Sequence, residues 1–375
     1  MNKQEITRLR ERGSILVLFA GLIIVLTGFA VLAVDIGRIY IVRNELQNVA
    51  DAAALAGANC LDRQSLAGSL TDCSATKATT LNWARASAKA VDQLGQNSAD
   101  NIAVATTGSG YQIDVGYWNV QSNGPSGGSF STTFSPLTKF DKPAVKVTVT
   151  KDAGKNGGPV TMLTAAMFGG SHVPMSANAV AVLSSPSKVP PGSVIPYVIN
   201  KCMYDKYWNA ATGTPVIYTG SPPDTNKLST VGQPWELLIG SSYHYGACDS
   251  GQWTSFNLDV NSQSAVANLI ASGNPTSLGI GDMTWIEPGS KTASFNDLRA
   301  KYPAGGDVTL LVVDTASLAS KGEAPIVAFA GFHITDVQGG SKKYVQGHFL
   351  TNYITPGAGG IGPFYGTYTP PRLAH

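Results

Sequence analysis

Two histidines offer the most direct route to chemistry. His333 and His348 lie in alternating runs on either side of Gly339-Gly340-Ser341, a hairpin signal. With a loop over residues 339–342 the imidazoles become cross-strand neighbours, a geometry that could hold a metal ion. No third ligand accompanies them, and a slip of one residue sends them to opposite faces. We therefore read them as strand histidines and expect no metal. Asp314-Thr315-Ala316-Ser317-Leu318 has the outline of an Asp-x-Ser-x-Ser cation loop, but Ala316 and Leu318 stand where oxygen ligands are needed. Gly279-Ile280-Gly281-Asp282 is a two-glycine turn, too short for a phosphate-binding fingerprint. Tyr243-His244-Tyr245 beside Cys248 could contact a carbohydrate, though packing over a disulfide is the plainer reading. No Ser/His/Asp or paired-carboxylate set can be assembled. The expectation is no catalytic residue, no cofactor and no small-molecule substrate.

The four cysteines, Cys60, Cys73, Cys202 and Cys248, carry the remaining chemistry. Four thiols allow three connectivities, and we favour Cys60–Cys73 with Cys202–Cys248 because each bond then stays inside one expected domain. The first would clip a loop, worth about 3 kcal/mol on a chain-entropy argument. No Cys-x-x-Cys pair supports zinc instead.

The elements that must position these residues begin with an uncharged apolar run, residues 15–34, preceded by Arg8, Arg10 and Arg12. At about 1.5 Å per residue it spans about 30 Å, the thickness of a bilayer's hydrocarbon core. Asp35 and Arg38 end it where water resumes. Basic residues on the N-terminal side keep residues 1–12 cytoplasmic and send the rest across. A cleaved signal peptide is the competing reading, but the run is too long and no small-x-small cleavage site follows. Residues 1–12 also account for the whole net charge of +2, so the remainder is neutral and no nucleic-acid partner is expected. All four cysteines lie beyond the span, where disulfides persist.

Residues 36–57 continue as helix without a proline. Ile39, Val42, Leu46, Val49, Ala53 and Ala56 recur at spacings of three and four, forming one packing seam. It thins to alanine near Gly57, letting a neighbouring backbone come close. Within the span, Gly21 and Gly28 share a face, and Ala33 with Gly37 makes a small-xxx-small step. All ten positions form an expected helix-packing interface, with a stalk packing on its own domain as the competing reading of the lower seam.

Glu11-Arg12-Gly13-Ser14, Val34-Asp35-Ile36-Gly37-Arg38 and Leu46-Gln47-Asn48-Val49-Ala50-Asp51-Ala52-Ala53-Ala54-Leu55-Ala56-Gly57-Ala58 carry a resemblance. Together they are similar to the N-terminal module of TadG-like Flp (Tad) pilus-assembly proteins. Looser similarity continues to about Leu183 through Val115-Gly116-Tyr117-Trp118, Ala144-Val145-Lys146-Val147-Thr148-Val149 and the run from Pro174 to Val182. The resemblance implies a single-pass protein of the bacterial inner membrane, its bulk periplasmic, serving a type IVb pilus machine and not an enzyme. Implied partners are the lipid bilayer and other Tad machine subunits, pseudopilins or pilin. One departure matters. Processed pilins have Glu five residues after the cleaved Gly, whereas Gly13 is followed at that position by Leu18. The span is therefore expected to stay uncut.

The expected fold class is α+β. Residues 35–184 should form a pilin-like domain, a long helix packed on an antiparallel sheet. Its strands are placed at 102–105, 111–120, 144–151 and 173–183, with helices at 74–94 and 160–168. Residues 185–193 read as a proline-stiffened linker, residues 194–355 as a β-rich sandwich or barrel-like domain with one helix near 261–271, and residues 356–375 as a surface-lying or mobile Gly/Pro/Tyr tail. A pilus-independent envelope adhesin or glycan-binding protein remains the alternative function.

Overall fold

The computed structural model describes residues 3–62, 70–73, 81–121, 128–134, 140–164, 172–209, 212–241, 245–289, 291–341, 343–360 and 364–374. Helix α1 (Lys3–Ala58) is one unbroken rod whose apolar window is wholly outside the protein's own core, long and apolar enough to cross a membrane. Its C-terminal part is different. Val42, Leu46, Val49, Ala50, Ala53 and Ala54 are buried against an antiparallel sheet. Each fully buried Val or Leu contributes about 1.5–3 kcal/mol, so this half is held by its seam, whereas none of the apolar window is buried.

The sheet comprises β1 (Tyr111–Asn119), β2 (Phe130–Ser131), β3 (Asp141–Lys151) and, after the short β4 (Val160–Thr161), β5 (Met175–Val182). Strand β3 lies between β1 and β5, antiparallel to both. Valines 145, 147 and 149 of β3 and alanines 177, 179 and 181 of β5 point to α1, the period-2 alternation of a half-covered sheet. Helix α2 (Trp83–Gly95) crosses α1 and is capped by Asn82, whose side chain accepts the Arg85 N–H. A Cβ at Gly57 would come within 2.8 Å of the Ala86 carbonyl oxygen, so the narrow end of the seam admits α2 of the same chain.

The expected helix over residues 74–94 is helical in its described part from Trp83, and residues 74–80 lie outside the described residues. Of the one over residues 160–168, the described part starts as a strand instead: Val160–Thr161 pairs with His172–Val173, and residues 165–171 lie outside the described residues. The β-branched Val160 and Thr161 suit that pairing better than a helix start.

Residues 185–193 are not a free linker. Ser185–Val189 forms β6, with Ser185 and Val189 fully buried. Seven strands follow in one sheet: β7 (Tyr197–Asn200), β8 (Leu237–Gly240), β9 (Gly251–Phe256), then, after β10 (Leu278–Gly279), β11 (Met283–Glu287), β12 (Gly306–Val313), β13 (Gly322–Gly339) and β14 (Lys343–Phe349). Strand β13, 18 residues long, pairs successively with β11, β12 and β14. Since β11 leads through β9 and β7 back to β12, five strands close into a ring, with β7 and β12 parallel. The barrel-like form is thus the one adopted. Helices α3 (Lys201–Tyr207), α4 (Gln263–Ser272) and α5 (Thr292–Lys301) lie around it. Only α4 is expected from sequence; α3 is capped by Asn200 but only seven residues long, too short for a periodic pattern, and α5 starts without a side-chain cap.

The tail is structural. Ala358–Gly360, β15, pairs with β6, and Arg372–Leu373, β16, adds a strand to β5 of the first sheet. Tyr365 is buried in the barrel's core and Tyr368 in the core beneath α1, with Phe364 packed against both. A composition rich in Gly, Pro and Tyr here marks a strap of short strands whose aromatics fill two cores.

Candidate functional site

Where the apolar run ends, α1 is fastened to the body by a collar of polar contacts. Asp35, 1% exposed, accepts hydrogen bonds from the Leu163 N–H at 2.7 Å, the Thr164 N–H at 2.8 Å and the Thr164 hydroxyl at 2.6 Å. One turn later Arg38 donates to the Thr161 carbonyl and pairs with Asp100, each at 3.0 Å. Asp100 also lies 3.5 Å from the ammonium of Lys151, which is 1% exposed and donates to the Asn156 carbonyl. The Asp100 N–H donates to Glu45 at 2.7 Å.

Asp100 and Asn101 both have positive φ, 55° and 59°, forming the two-residue turn between the short strands Ser98–Ala99 and Ile102–Ala103. Asp and Asn tolerate that conformation. Asp35 and Arg38 thus do not simply mark the return of water, because both bind protein groups. The Asp-Asn dipeptide was the signal available for Asp100; nothing local announces its pairing with a helix 62 residues away.

The expected packing positions divide sharply. Val42, Leu46, Val49 and Ala53 are buried in the chain's own core, and Ile39 and Ala56 are half-buried. The lower seam is therefore the ordinary stalk, its surface spent on β3, β5 and α2. Gly21, Ala33 and Gly37 are exposed, Gly28 is half-buried, and a Cβ at any of the three glycines would meet nothing within 4 Å.

Residues 13–59 match the Flp pilus-assembly TadE/G-like family, and residues 66–181 match the Tad-like Flp pilus-assembly family. Over these two stretches the chain is similar to Flp pilus-assembly proteins. No curated protein and no solved structure matches it. The first match takes in the apolar run, the collar residues of α1 and the seam; the second takes in α2, most of the first sheet and the loop that binds Asp35. Residues 182–375, including the barrel, fall outside both.

In the barrel His333 and His348 are register partners, their rings 5.2 Å apart. A β-bulge between Ile334 and Asp336 absorbs the one-residue slip that would have separated them. Each is held by a carboxylate: His333 Nδ1 lies 2.7 Å from Asp307, and His348 Nδ1 3.0 Å from Glu236. Burial pushes the Glu236 carboxyl up, but hydrogen bonds from His348, Thr335 and Gln346 outweigh it and the net shift is downward. Among the described residues no three His, Cys, Asp or Glu side chains converge on a metal position. Cys60 is bonded to Cys73 and Cys202 to Cys248, the second bond tying α3 to the segment before β9 across 46 residues. In the Gly279–Asp282 turn the Asp282 carboxylate accepts the Gly279 N–H, so the turn closes on itself. Residues 243 and 244 of the aromatic loop lie outside the described residues.

Proposed function

We propose that this protein is a non-enzymatic, single-pass accessory of a bacterial Flp/Tad (type IVb) pilus assembly or secretion system. It sits in the inner membrane with its N-terminus cytoplasmic and its bulk periplasmic. The observation that carries the reading is the division of α1: one half is consumed by its own domain, and the other presents a bare apolar face on a rigid, collared rod. Lipid tails are as apolar as leucine, so helices associate in a bilayer through close packing of small residues. Gly21 and Gly28 share one such face, Ala33 and Gly37 make a second small-residue step nearer the exit, and a Cβ at any of the three glycines would meet nothing within 4 Å. The role is lateral docking to another helix of the machine, with the body reaching pilin, pseudopilin or secretion subunits. The uncut span, lacking a carboxylate at Leu18, suits a permanent anchor.

The test is a double substitution, Gly21→Leu with Gly28→Leu. Insertion and abundance should match the parent, while recovery of pilus-machine subunits with the tagged protein in mild detergent falls several-fold. Unchanged recovery with normal pili would reduce the span to a tether.

A further inference from the structure

The collar fixes the height of one loop along α1. The Asp35 carboxylate holds the Leu163 and Thr164 amides, and Arg38 holds the Thr161 carbonyl, so residues 161–164 are pinned within one helical turn of the end of the apolar run. Leu163 is nonetheless 54% exposed. Apolar surface also continues past Asp35 on the rod itself, where Ile36, Tyr40 and Ile41 are 46%, 63% and 59% exposed. At about 1.5 Å per residue these lie within about 9 Å beyond Asp35. Tyrosine at such a level is characteristic of the membrane–water boundary. Leu163, level with Asp35, therefore sits on the bilayer side of the last apolar residues of the exit zone. The half-exposed Arg38 stands beside it at headgroup height.

We propose that the loop of residues 161–164, led by Leu163, is seated in the acyl–headgroup boundary of the leaflet from which α1 emerges. This gives the body a second point of attachment. A single helix leaves a domain free to tilt and spin; a side loop fixed to that helix and inserted beside it removes the tilt and sets which face looks along the membrane. The occupant of the Leu163 surface is lipid, because the loop is pinned within one helical turn of the end of the apolar run and Leu163 is exposed there, between the exposed Val34 and Ile36 in height. The proposal rests on reading residues 15–34 as membrane-spanning.

All four native cysteines are in disulfides, so an introduced cysteine is the single reactive thiol. Leu163→Cys, Leu22→Cys and Val231→Cys would be spin-labelled in the full-length protein, reconstituted in phosphatidylethanolamine/phosphatidylglycerol vesicles. Collision with oxygen, which partitions into lipid, is compared with collision with a water-soluble nickel chelate. The oxygen-to-nickel ratio at Leu163 should exceed that at Val231, a 66% exposed residue of the loop before β8, by about fivefold or more and fall below that at Leu22. A ratio equal to that of Val231 with Leu22 still lipid-like overturns the seat and leaves the span intact. A label shielded from both reagents means that protein covers Leu163, and also overturns it. A water-like ratio at Leu22 removes the span itself and the seat with it.

Discussion

Lys142 shows how one side chain can oppose the fold that contains it. It lies 2% exposed on the sheet face away from α1, opposite Trp118 in register, with the Ser185 hydroxyl 3.5 Å from its amine. Burial brings its pKa down from 10.5 to about 8, against a smaller upward pull from Asp141. The sign follows directly. The folded state holds the proton less tightly than the unfolded one, so the cost is full below pH 8 and is relieved as pH rises from about 8 toward 10.5. Lys142→Met should therefore stabilise the protein at pH 7 by about 2 kcal/mol. In micelles, chemical denaturation of parent and variant should converge between pH 8 and 10.5. An advantage of the variant that stays constant across that range would show that Lys142 remains charged and solvated in the fold.

At the scale of elements the tail decides whether the two cores act together. Tyr368, 5% exposed, lies in the core beneath α1 and stacks on Phe364 with ring centroids 4.4 Å apart. Phe364 in turn packs edge-on against Trp208 of the barrel, 5.9 Å between centroids. Tyr368→Ala should cost about 3–5 kcal/mol, the range for removing a buried aromatic. Leu373→Ala, at a 44% exposed position of the same tail, should stay within about 0.5 kcal/mol. Equal small effects in thermal denaturation would return the tail to the status of a surface appendage.

The molecule as a whole makes sense only with an orientation. Arg8, Arg10 and Arg12 precede the apolar run, and both disulfides follow it, where an oxidising compartment would preserve them. A reporter that is active only outside the cytoplasm should therefore work when fused after His375. Replacing the three arginines with glutamate should cut its activity several-fold while total protein stays constant. A C-terminus reached by membrane-impermeant reagents only from the cytoplasmic side would reverse the placement.

Much of this was legible from residues 1–58, where the signals are local: an uncharged run of bilayer length, a seam repeating every three to four residues, and the motif around Asp35 that carried the family resemblance. The α+β class and the principal strands were legible too, because alternation and helical periodicity are properties of neighbours in sequence. The cross-strand meeting of His333 and His348 was readable as one register among two, and a bulge decided it. What faces the seam was not readable, because a strip of Val, Leu and Ala serves a partner helix and an adjoining sheet equally well; β3, β5 and α2 had to fold before the choice was made. The pairing of residues 185–189 and of the tail is not local either, for a related reason. Proline, glycine and tyrosine describe a segment's stiffness and turn chemistry, whereas its burial depends on whether distant strands leave an edge to pair with and a hollow to fill. Asp35 is the sharpest case. Its charge at the end of an apolar run read as the return of water, and only the arrival of Leu163 and Thr164, 128 and 129 residues later in the chain, turned it into the clamp that holds the rod to the body.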